Sequence, residues 1–303
     1  LIKCIQKEIK YIFPNTKIYA GDINENVLSK FDADCFWHMP KTNNENLKFI
    51  ISYCLENNIK FIFPTRDGEL LFWSKNKSLL KSHGIFVFVA SESTLSLSLD
   101  KLSFYNFCRE HSLPTIESSL IIEDIDSDRF VVKERYGSSS KNIAINIKKD
   151  NALKFASKLE NPIFQPYLNK KEISIDGWVG RESNLPGIVV RSRSLISNGE
   201  SKITTILENK TFEKKIHELI SYLSIKGPFV IQAFIEGDDL TLIECNPRIG
   251  GSTTVSVENG LKIFLWSILE IIDPSFKPVF TKKYKSITQV RTQSDNYLYD
   301  HYL

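Results

Sequence analysis

Apolar segments and amphipathic segments alternate along the first third of the chain. Short, mostly apolar runs predict strands, and segments with apolar residues three or four apart predict helices; the strands fall at residues 18–22, 60–64 and 86–89 and the helices at 46–57 and 68–82. Strands that are apolar throughout and alternate with helices indicate a parallel sheet covered on both faces. Because a helix at residues 1–11 already opens the chain, we expect the first strand of this sheet to precede residue 1.

The rest of the chain is dominated by predicted strands. Apolar and polar residues alternate at 142–147, 171–178 and 240–246, and this period of two predicts strands; residues 228–235 are predicted as an apolar strand, and residues 129–134 and 188–194 as further strands. Helical spacing of apolar residues predicts an amphipathic helix at 212–223 and an apolar helix at 261–272. The pattern as a whole indicates an α/β protein.

Length and composition narrow the class of protein. With 303 residues, 42% hydrophobic and 25% charged, the chain is long enough for two domains with a sizeable core. A net charge of +3 without basic blocks argues against nucleic acid as a partner, and the lack of an apolar run of about 20 residues argues against a membrane. No signal peptide opens the sequence, so we expect a cytoplasmic protein. The five cysteines form no CxxC pair, which disfavours a disulfide framework and a structural zinc site.

The last two predicted strands flank turn residues and predict a β-hairpin centred on Asp238. Gln232 and Glu244 are equally far from that centre, so we expect them to pair across the hairpin, and alternation puts Asn246 on the face of Glu244. Carboxylate and amide oxygens suit Mg²⁺, and Arg248, just beyond the strand, offers a guanidinium for phosphate or carboxylate oxygens. The alternative is a solvated polar strand face.

A small-residue loop joins two other predicted strands. Residues 136–141, Tyr-Gly-Ser-Ser-Ser-Lys, offer backbone N–H groups and hydroxyls that suit phosphate oxygens, and weak packing would let the loop act as a lid. Lys133, on the strand that enters the loop, could place an ammonium against the same phosphates. The alternative is a flexible exposed turn preceded by a surface lysine.

Two further groups of charged residues are candidates for substrate contacts. Asp67 and Glu69 follow a strand of the predicted parallel sheet, at the edge where such sheets bind ligands. The alternative is that these polar residues only cap the helix that starts there, because Thr65 and Asp67 are residue types that cap helices well, and it stays open. Arg191 and Arg193 lie on the same side of one strand and could share an anionic ligand, or they are solvated charges.

On the hairpin residues Gln232, Glu244, Asn246 and Arg248, the chain resembles the metal-binding core of ATP-grasp enzymes. It is most similar to the synthetase domains of the carbamoyl-phosphate synthase large subunit and to the smaller carboxylate-amine ligases related to them. The resemblance covers nearly the whole chain and implies an α/β fold with α+β lobes. A partial pre-ATP-grasp domain with a doubly wound parallel sheet would span residues 1–96, and an ATP-grasp domain would span 97–303. The latter would divide into a small lid lobe, about 113–166, and a large metal-binding lobe, about 167–303.

The resemblance also implies roles for particular residues. Arg248 and Lys133 would be the catalytic residues, and Gln232, Glu244 and Asn246 would hold Mg²⁺. Asp67, Glu69, Arg191 and Arg193 would contact the substrate. The residues implied in ATP binding are Lys101, Lys133, Gly137, Ser138, Ser139, Ser140, Gln165, Pro166, Tyr167, Leu168 and Glu172. In this set Lys101 and the loop would serve the phosphates, residues 165–168 the adenine and Glu172 the ribose.

The activity implied by the resemblance is an ATP- and Mg²⁺-dependent ligation. A substrate carboxylate would become an acyl phosphate, and an amine or similar nucleophile would displace phosphate, so small-molecule acids and amines are the expected substrates. One or two Mg²⁺ ions and a homodimer are compatible with it. Many relatives have a carboxylate in place of Gln232, so a second Mg²⁺ is expected to bind weakly or only with ATP. Two alternatives stay open: an ATP-binding regulatory module without turnover, and a phosphotransferase with the same fold.

Overall fold

The computed structural model describes residues 1–137, 142–197, 200–208 and 211–292, and the statements below concern these residues. In the amino-terminal region, helices alternate with short strands: α1 Ile2–Ile12, β1 Tyr19–Asp22, α2 Ser29–Asp32, β2 Cys35–His38, α3 Leu47–Glu56, β3 Phe61–Ile62, α4 Asp67–Lys75, α5 Lys77–Ser82, β4 Phe86–Val87 and α6 Glu92–Leu99. These strands run parallel, as predicted. Within residues 1–137 they hydrogen-bond in two separate pairs, β1 with β2 and β3 with β4.

This region differs from the sequence prediction in several places, since α2, β2 and α6 are additional elements and one expected helix is divided. The pattern does not predict β2, because four residues give too little periodicity, and the single helix expected at residues 68–82 is two helices that meet at Asn76. The Asn76 side-chain amide donates to the Phe72 carbonyl at 2.9 Å, and the Asn76 backbone leaves the helical conformation with φ −98° and ψ 4°. A side chain that hydrogen-bonds a preceding carbonyl competes with continuation of the helix.

A hydrophobic core holds the amino-terminal region together. Ile50 of α3 packs in it with Leu70 and Trp73 of α4. The Trp37 ring of β2 stacks on the Tyr53 ring of α3, with centroids 4.1 Å apart and planes inclined by 3°. The unpredicted strand is therefore fixed by aromatic packing against a predicted helix.

A helix and a small antiparallel sheet follow. They comprise α7 Lys101–Glu110, β5 Phe130–Glu134, β6 Ile143–Ile147, α8 Lys149–Ala156 and β7 Pro162–Pro166, with strand order β6-β5-β7. Asp100 caps α7, because its Oδ1 accepts from the N–H groups of Leu102 at 3.0 Å and Ser103 at 3.2 Å. The apolar side of α8 packs on this sheet through Ala152 and Ala156.

The remaining elements form a larger lobe around one antiparallel sheet. They are β8 Lys171–Val179, β9 Ile188–Ser197, β10 Glu200–Leu207, α9 Thr211–Leu223, β11 Gly227–Glu236, β12 Asp239–Asn246, α10 Thr254–Glu258, α11 Ile263–Ile272 and β13 Thr288–Val290. The strand order of the six-stranded sheet is β12-β11-β8-β9-β10-β13. The predicted strands and helices of this part are all present.

The two faces of the large sheet have different neighbours. One face carries Ile173, Ile175 and Ile231, which share a hydrophobic core with Phe104 of α7 and Phe212 of α9. This core accounts for the apolar stripe of the predicted amphipathic helix α9. The opposite face is therefore the one left for polar side chains.

That opposite face is partly apolar as well. Trp178 of β8 and Val189 of β9 pack under α10 and α11, in one cluster with Val255 and Phe264. The indole N–H of Trp178 donates to the Ser267 hydroxyl at 2.9 Å, so its polar atom is satisfied inside the core. Polar residues of this face lie farther along the strands, and they form the candidate site.

The amino-terminal region is packed against the large lobe. Ile9 of α1 lies in the same hydrophobic cluster as Phe264 of α11, and the Phe63 ring meets the Phe264 ring edge-on with centroids 5.2 Å apart. Glu8 Oε2 accepts from the Leu265 N–H at 3.2 Å, at the start of α11, and burial raises the pKa of Glu8 to about 7. Several independent contacts thus fix how the two parts meet.

All five cysteines are free thiols in the structure. Burial raises the pKa of Cys54 to about 11 and that of Cys108 to about 12. Cys245 is buried too, whereas Cys4 and Cys35 are partly exposed. In the described ranges, every helix is too short or too polar to cross a membrane.

Candidate functional site

Strands β11 and β12 form the predicted hairpin, and Gln232 lies opposite Glu244, as predicted. The tip of the hairpin is the two-residue turn Gly237-Asp238, where Gly237 has a φ of +58°. The hairpin is therefore centred half a residue before the predicted position. A one-residue bulge at Ile243 compensates for this shift and restores the pair. The predicted pairing is confirmed, but the bulge that produces it was not predicted.

Four polar side chains follow one another across this face of the sheet. Asn246 Nδ2 donates to Glu244 Oε1 at 2.9 Å, and Gln232 Nε2 donates to Glu172 Oε1 at 2.7 Å. We call Glu172, Gln232, Glu244 and Asn246 the polar row. Since they lie on the neighbouring strands β8, β11 and β12, the predicted oxygen-rich cluster is present and contains one carboxylate more than the hairpin itself supplies.

The polar row has the chemistry of a site for a hard cation. Both amides direct N–H groups at carboxylates, so the carbonyl oxygens of Gln232 and Asn246 are the atoms left for a cation beside Glu244. Within the described ranges, no three His, Cys, Asp or Glu side chains come together as a metal-binding group. A divalent ion at the polar row would therefore need additional oxygen ligands, which nucleotide phosphates can supply.

Lys133 brings a positive charge to the polar row from the smaller sheet. Burial lowers the pKa of Lys133 to about 8, and repulsion from Lys101 lowers it further. Attraction to Glu244 and to Glu172 raises the pKa and so partly opposes the effect of burial. The ammonium is thus within electrostatic reach of Glu244 and Glu172. Burial disfavours the charged form of this lysine, and an anion bound beside it would favour that form.

Lys101 lies at the start of α7 and is buried against the small-residue loop. Its Nζ donates to the Gly137 carbonyl at 2.8 Å and to the Arg135 carbonyl at 3.4 Å. The loop entrance is held to the same helix because Arg135 forms two hydrogen bonds to Asp100, at 2.7 and 2.5 Å. The predicted phosphate contacts Ser138, Ser139 and Ser140 lie outside the described residues.

Arg248 is paired with a residue of the amino-terminal region. Its Nη2 donates to Asp67 Oδ2 at 2.7 Å, and its Nε donates to Asp67 Oδ1. The side chains are 16% and 14% exposed, so the pair is largely withdrawn from solvent. The structure thus brings Asp67, at the edge of the parallel strands, to Arg248 at the end of the β11–β12 hairpin, although the two are 181 residues apart along the chain.

The start of α4 corrects the predicted capping. The residue at the N-cap position is Arg66, so neither Thr65 nor Asp67 has that position, and Asp67 is the first residue of the helix. Glu69 Oε1 accepts from the N–H groups of Thr65 and Arg66, both at 3.4 Å. The side chain of Glu69, predicted as a substrate contact, therefore caps the first turn of α4. Asp67 does not cap the helix and pairs with Arg248 instead.

Several solved structures share this fold. N5-carboxyaminoimidazole synthetase from Staphylococcus aureus, complexed with ADP, has a TM-score of 0.70 at 19% identity, covering 93% of this chain and 77% of that one. The biotin carboxylase domain of 2-oxoglutarate carboxylase from Hydrogenobacter thermophilus, in complex with MgADP, ADP and bicarbonate, has a TM-score of 0.70 at 16% identity, covering 92% and 69%. L-amino acid ligase from Bacillus licheniformis has a TM-score of 0.65 at 16% identity, covering 89% and 71%. At such identities the likeness shows the fold.

Two family comparisons agree with the fold. Residues 158–293 match the family described as ATP-grasp in the biosynthetic pathway with Ter operon. Residues 158–293 are thus similar in sequence to an ATP-grasp family, and the chain has the fold of ATP-grasp proteins. Residues 1–88 match the PylC-like N-terminal domain, and the comparison with curated protein sequences gives no match. The domain boundary near residue 96 lies between the two matched ranges and stays a prediction.

The segment predicted to read adenine, residues 165–168, comprises the end of β7 and the two residues after it. Gln165 is buried and its Nε2 donates to the Ser118 hydroxyl at 2.7 Å, so its side-chain amide is hydrogen-bonded inside the protein. The Tyr167 N–H donates to a carbonyl just before β5 at 2.8 Å, and Pro166 has no N–H. The Leu168 N–H has no partner within the described ranges. Leu168 is therefore the residue of this segment with a main-chain donor left for a base.

The two arginines of β9 meet different carboxylates, and a shared anionic ligand stays a prediction. Arg191 donates from Nε to Asp176 Oδ2 at 2.7 Å and from Nη2 to Asp176 Oδ1 at 3.1 Å, with the side chains 3% and 0% exposed. Arg193 pairs with Glu172 of the polar row. Each arginine meets a carboxylate on the adjacent strand β8. Because the Arg191 side chain is buried, the alternative that it is a solvated charge is wrong for Arg191. Whether Glu172 also binds ribose stays a prediction.

Sequence reasoning did not assign the partners of Asp176. Its carboxylate also accepts from the Thr253 hydroxyl at 3.1 Å and from the Ser256 hydroxyl at 2.5 Å. The Thr253 hydroxyl in turn accepts from the Gly250 N–H at 3.1 Å. This network therefore ties the segment that carries Arg248 to the sheet. An acid on β8 was the only sequence signal, and these two hydroxyl partners lie more than 70 residues away.

Proposed function

We propose that this protein is an ATP- and Mg²⁺-dependent ligase that joins a small-molecule carboxylate to an amine or a similar nucleophile. The observation that carries the proposal is the polar row with the ammonium of Lys133 beside it. Solved proteins of this fold are complexed with ADP or MgADP, and one is an amino acid ligase, which supports the assignment. A homodimer is part of the proposal, since one of these proteins is described as a domain dimer.

The nucleotide would lie between the sheet β6-β5-β7 and the sheet of the large lobe. The Leu168 N–H would contact the adenine, while Lys133 and Lys101 would contact the phosphates. Lys101 would exchange its present acceptor, the Gly137 carbonyl, for a phosphate oxygen. Bound phosphates would then favour the charged form of Lys133, which burial disfavours in the free protein.

The residues of the polar row fit Mg²⁺. Glu244 would supply a carboxylate, and Asn246 and Gln232 would supply amide oxygens, with phosphate oxygens completing the ligands. The ion supplies charge neutralisation and orients the transferred phosphate when bound. Because Gln232 is neutral, a second ion would depend on the nucleotide more than it would with a carboxylate at that position.

The proposed reaction has two steps. A carboxylate oxygen of the acid bonds to the γ-phosphorus while the bond to the bridging oxygen of ADP breaks, which gives an acyl phosphate and ADP. The nitrogen of the amine then bonds to the acyl carbon, the carbon-oxygen bond to phosphate breaks, and the proton of the amine passes to the released phosphate or to water. Lys133 and Arg248 stabilise the negative charge that develops, so the protein contributes positioning and electrostatics.

The experiment that tests this function measures ADP release over a panel of amino acids and sugar acids, with hydroxylamine present. An acyl phosphate reacts with hydroxylamine to give a hydroxamate, so ADP and hydroxamate should appear together with at least one acid. Glu244→Gln and Lys133→Ala should each lower this rate by about 100-fold, the scale for removing one electrostatic group at a reacting centre. Glu236→Gln is the matched control, because Glu236 lies on the same hairpin and pairs with the exposed Lys170.

The outcomes separate the proposal from its alternatives. A stable phosphorylated product without hydroxamate would indicate a phosphotransferase. Binding of MgATP without turnover in every mixture would indicate a regulatory module. Equal rates for wild type and Glu244→Gln would refute the site itself.

A further inference from the structure

The ion pair between Asp67 and Arg248 has a role beyond holding two parts of the chain together. We propose that Asp67 is a positioning residue for the ligase reaction, which holds the guanidinium of Arg248 by one edge and leaves the other edge for the transferred phosphate. The inference rests on the function proposed above. It assigns to the amino-terminal region a direct part in the geometry of the reaction, through a carboxylate that itself touches neither nucleotide nor substrate.

The donors of Arg248 are divided between two sides of the guanidinium. A guanidinium carries five N–H groups in a planar fork, with one bidentate edge at Nε and one η nitrogen and a second edge at the two η nitrogens. Asp67 occupies the first edge, at Nε and Nη2. Nη1 donates to the carbonyl of Ile249 at 3.3 Å. Because each η nitrogen carries two hydrogens, the end edge keeps one N–H from Nη1 and one from Nη2 for an oxyanion.

Asp67 is suited to this task because it is itself fixed. It is the first residue of α4, whose start is closed by Glu69. The preceding residue, Arg66, pairs with Asp22 at the end of β1 at 2.8 Å. Phe63, just beyond β3, packs its ring on Phe264 of the large lobe. A carboxylate on so rigid an element can restrict a long arginine side chain in advance of binding, which lowers the reorganisation needed when charge develops.

The backbone of Arg248 is restricted from the other side. Its N–H donates to the Asn246 carbonyl at 2.8 Å, within the turn that ends β12. The main chain is therefore set by the hairpin that bears the polar row, while the end of the side chain is set by Asp67. Without Asp67, the side chain keeps one main-chain acceptor, the Ile249 carbonyl, among the described residues. The guanidinium would then sample several rotamers, and its contact with a phosphate would weaken.

The test compares two nucleotides by calorimetry on the full chain. MgADP lacks the γ-phosphate, and the magnesium complex of AMPPNP, a non-hydrolysable ATP analogue, contains it. Asp67→Asn should weaken binding of MgAMPPNP by about fivefold or more, since misplacement of a contacting group by about 1 Å has large effects. It should leave MgADP binding within about twofold of wild type. Arg248→Gln should show the same selective loss, and the double variant should bind no more weakly than Arg248→Gln alone.

Asp22→Asn is the matched control. It removes a neighbouring carboxylate–arginine pair at the same edge of the amino-terminal region, but Asp22 does not contact Arg248. Both nucleotide affinities should therefore equal those of wild type. An additive double variant, or Asp22→Asn with the same loss as Asp67→Asn, would show that Asp67 acts only through the packing of the two parts.

The remaining outcomes also decide the matter. Tighter MgAMPPNP binding by Asp67→Asn would show that Asp67 competes with the phosphate for Arg248, which overturns the proposal. Wild-type affinity in Asp67→Asn, with the selective loss in Arg248→Gln, would overturn it while leaving the proposed role of Arg248 intact. Failure of the wild type to bind either nucleotide would refute the proposed function, and the two failures are therefore distinguishable.

Discussion

Replacing Asp176 by asparagine should destabilise the large lobe far more than a typical single substitution. Asp176 is completely buried, and its carboxylate is the acid that compensates the charge of Arg191, which is 3% exposed. Arg191 Nη1 is itself buried without a hydrogen-bond partner among the described residues. Asparagine keeps the shape of aspartate and some of its hydrogen bonds, but it leaves the guanidinium charge inside the protein uncompensated.

The magnitude follows from the burial of the pair. Removing one partner of a buried ion pair costs about 3–5 kcal/mol, whereas an exposed pair contributes about 0–1 kcal/mol. Against a typical folding free energy of about 5–15 kcal/mol, the loss is a large fraction of the whole. Replacing both residues by apolar ones, Asp176→Leu with Arg191→Met, removes both charges together and should restore most of the stability.

Urea unfolding followed by circular dichroism, together with hydrogen exchange of peptides from β8 and β9, measures this effect. Glu236→Gln is the control, because the Lys170–Glu236 pair on the same sheet has side chains 32% and 70% exposed. We expect a much lower unfolding midpoint and faster exchange in β8 and β9 for Asp176→Asn, and neither for the control. A midpoint of Asp176→Asn equal to that of the control, or a double variant as unstable as the sum of its parts, would refute the reasoning.

Three further predictions concern charge in the nucleotide site. Burial acts to raise the pKa of Asp100, but hydrogen bonds from Arg135 lower it to about 2. This pKa is below the unfolded value of about 3.9. The Asp100–Arg135 pair therefore stabilises the fold above about pH 4, and this stabilisation is lost as the pH falls toward about 2. Asp100→Asn should therefore be less stable at pH 7 and show a smaller loss of stability between pH 5 and pH 2 in acid unfolding, and an equally steep loss in both proteins would contradict this. Burial lowers the pKa of Lys133 to about 8, so in the free protein its charge is lost as the pH rises through 8; MgADP affinity of wild type should fall between pH 7 and pH 9, while that of Lys133→Arg should stay flat because arginine remains protonated. Gln232→Glu adds a carboxylate where the amide now donates to Glu172, so the Mg²⁺ concentration needed for half-maximal ADP binding should fall, and an unchanged titration would argue against Gln232 as a ligand.

The elements that sequence reasoning predicted well have strong periodicity. The strands at residues 129–134 and 142–147 appear as Phe130–Glu134 and Ile143–Ile147, and the amphipathic helix of the large lobe appears as Thr211–Leu223. The pair Gln232 and Glu244 was predicted because a hairpin fixes which residues face each other. Local geometry decides these features, so the sequence contains enough information about them.

The features that sequence reasoning missed depend on residues far apart in the chain. Arg191 and Arg193 lie on the same side of the same strand. Arg191 nevertheless forms a buried ion pair with Asp176, whereas Arg193 pairs with Glu172. A pattern of two arginines cannot reveal which carboxylate each will meet. The short strand Cys35–His38 was missed for a related reason, since its place is set by stacking of Trp37 on another element.

The sequence by itself determined the strongly periodic strands and helices, the hairpin, and the facing pair Gln232 and Glu244. These follow from the periodicities of 2 and 3.6 residues and from turn chemistry, which act over a few neighbouring positions. Only the tertiary structure decided that Asp67 meets Arg248 and that Lys133 stands beside Glu244. Such contacts arise when separate sheets and helices pack, and the partner of a charged side chain is then whichever opposite charge the packing brings within reach.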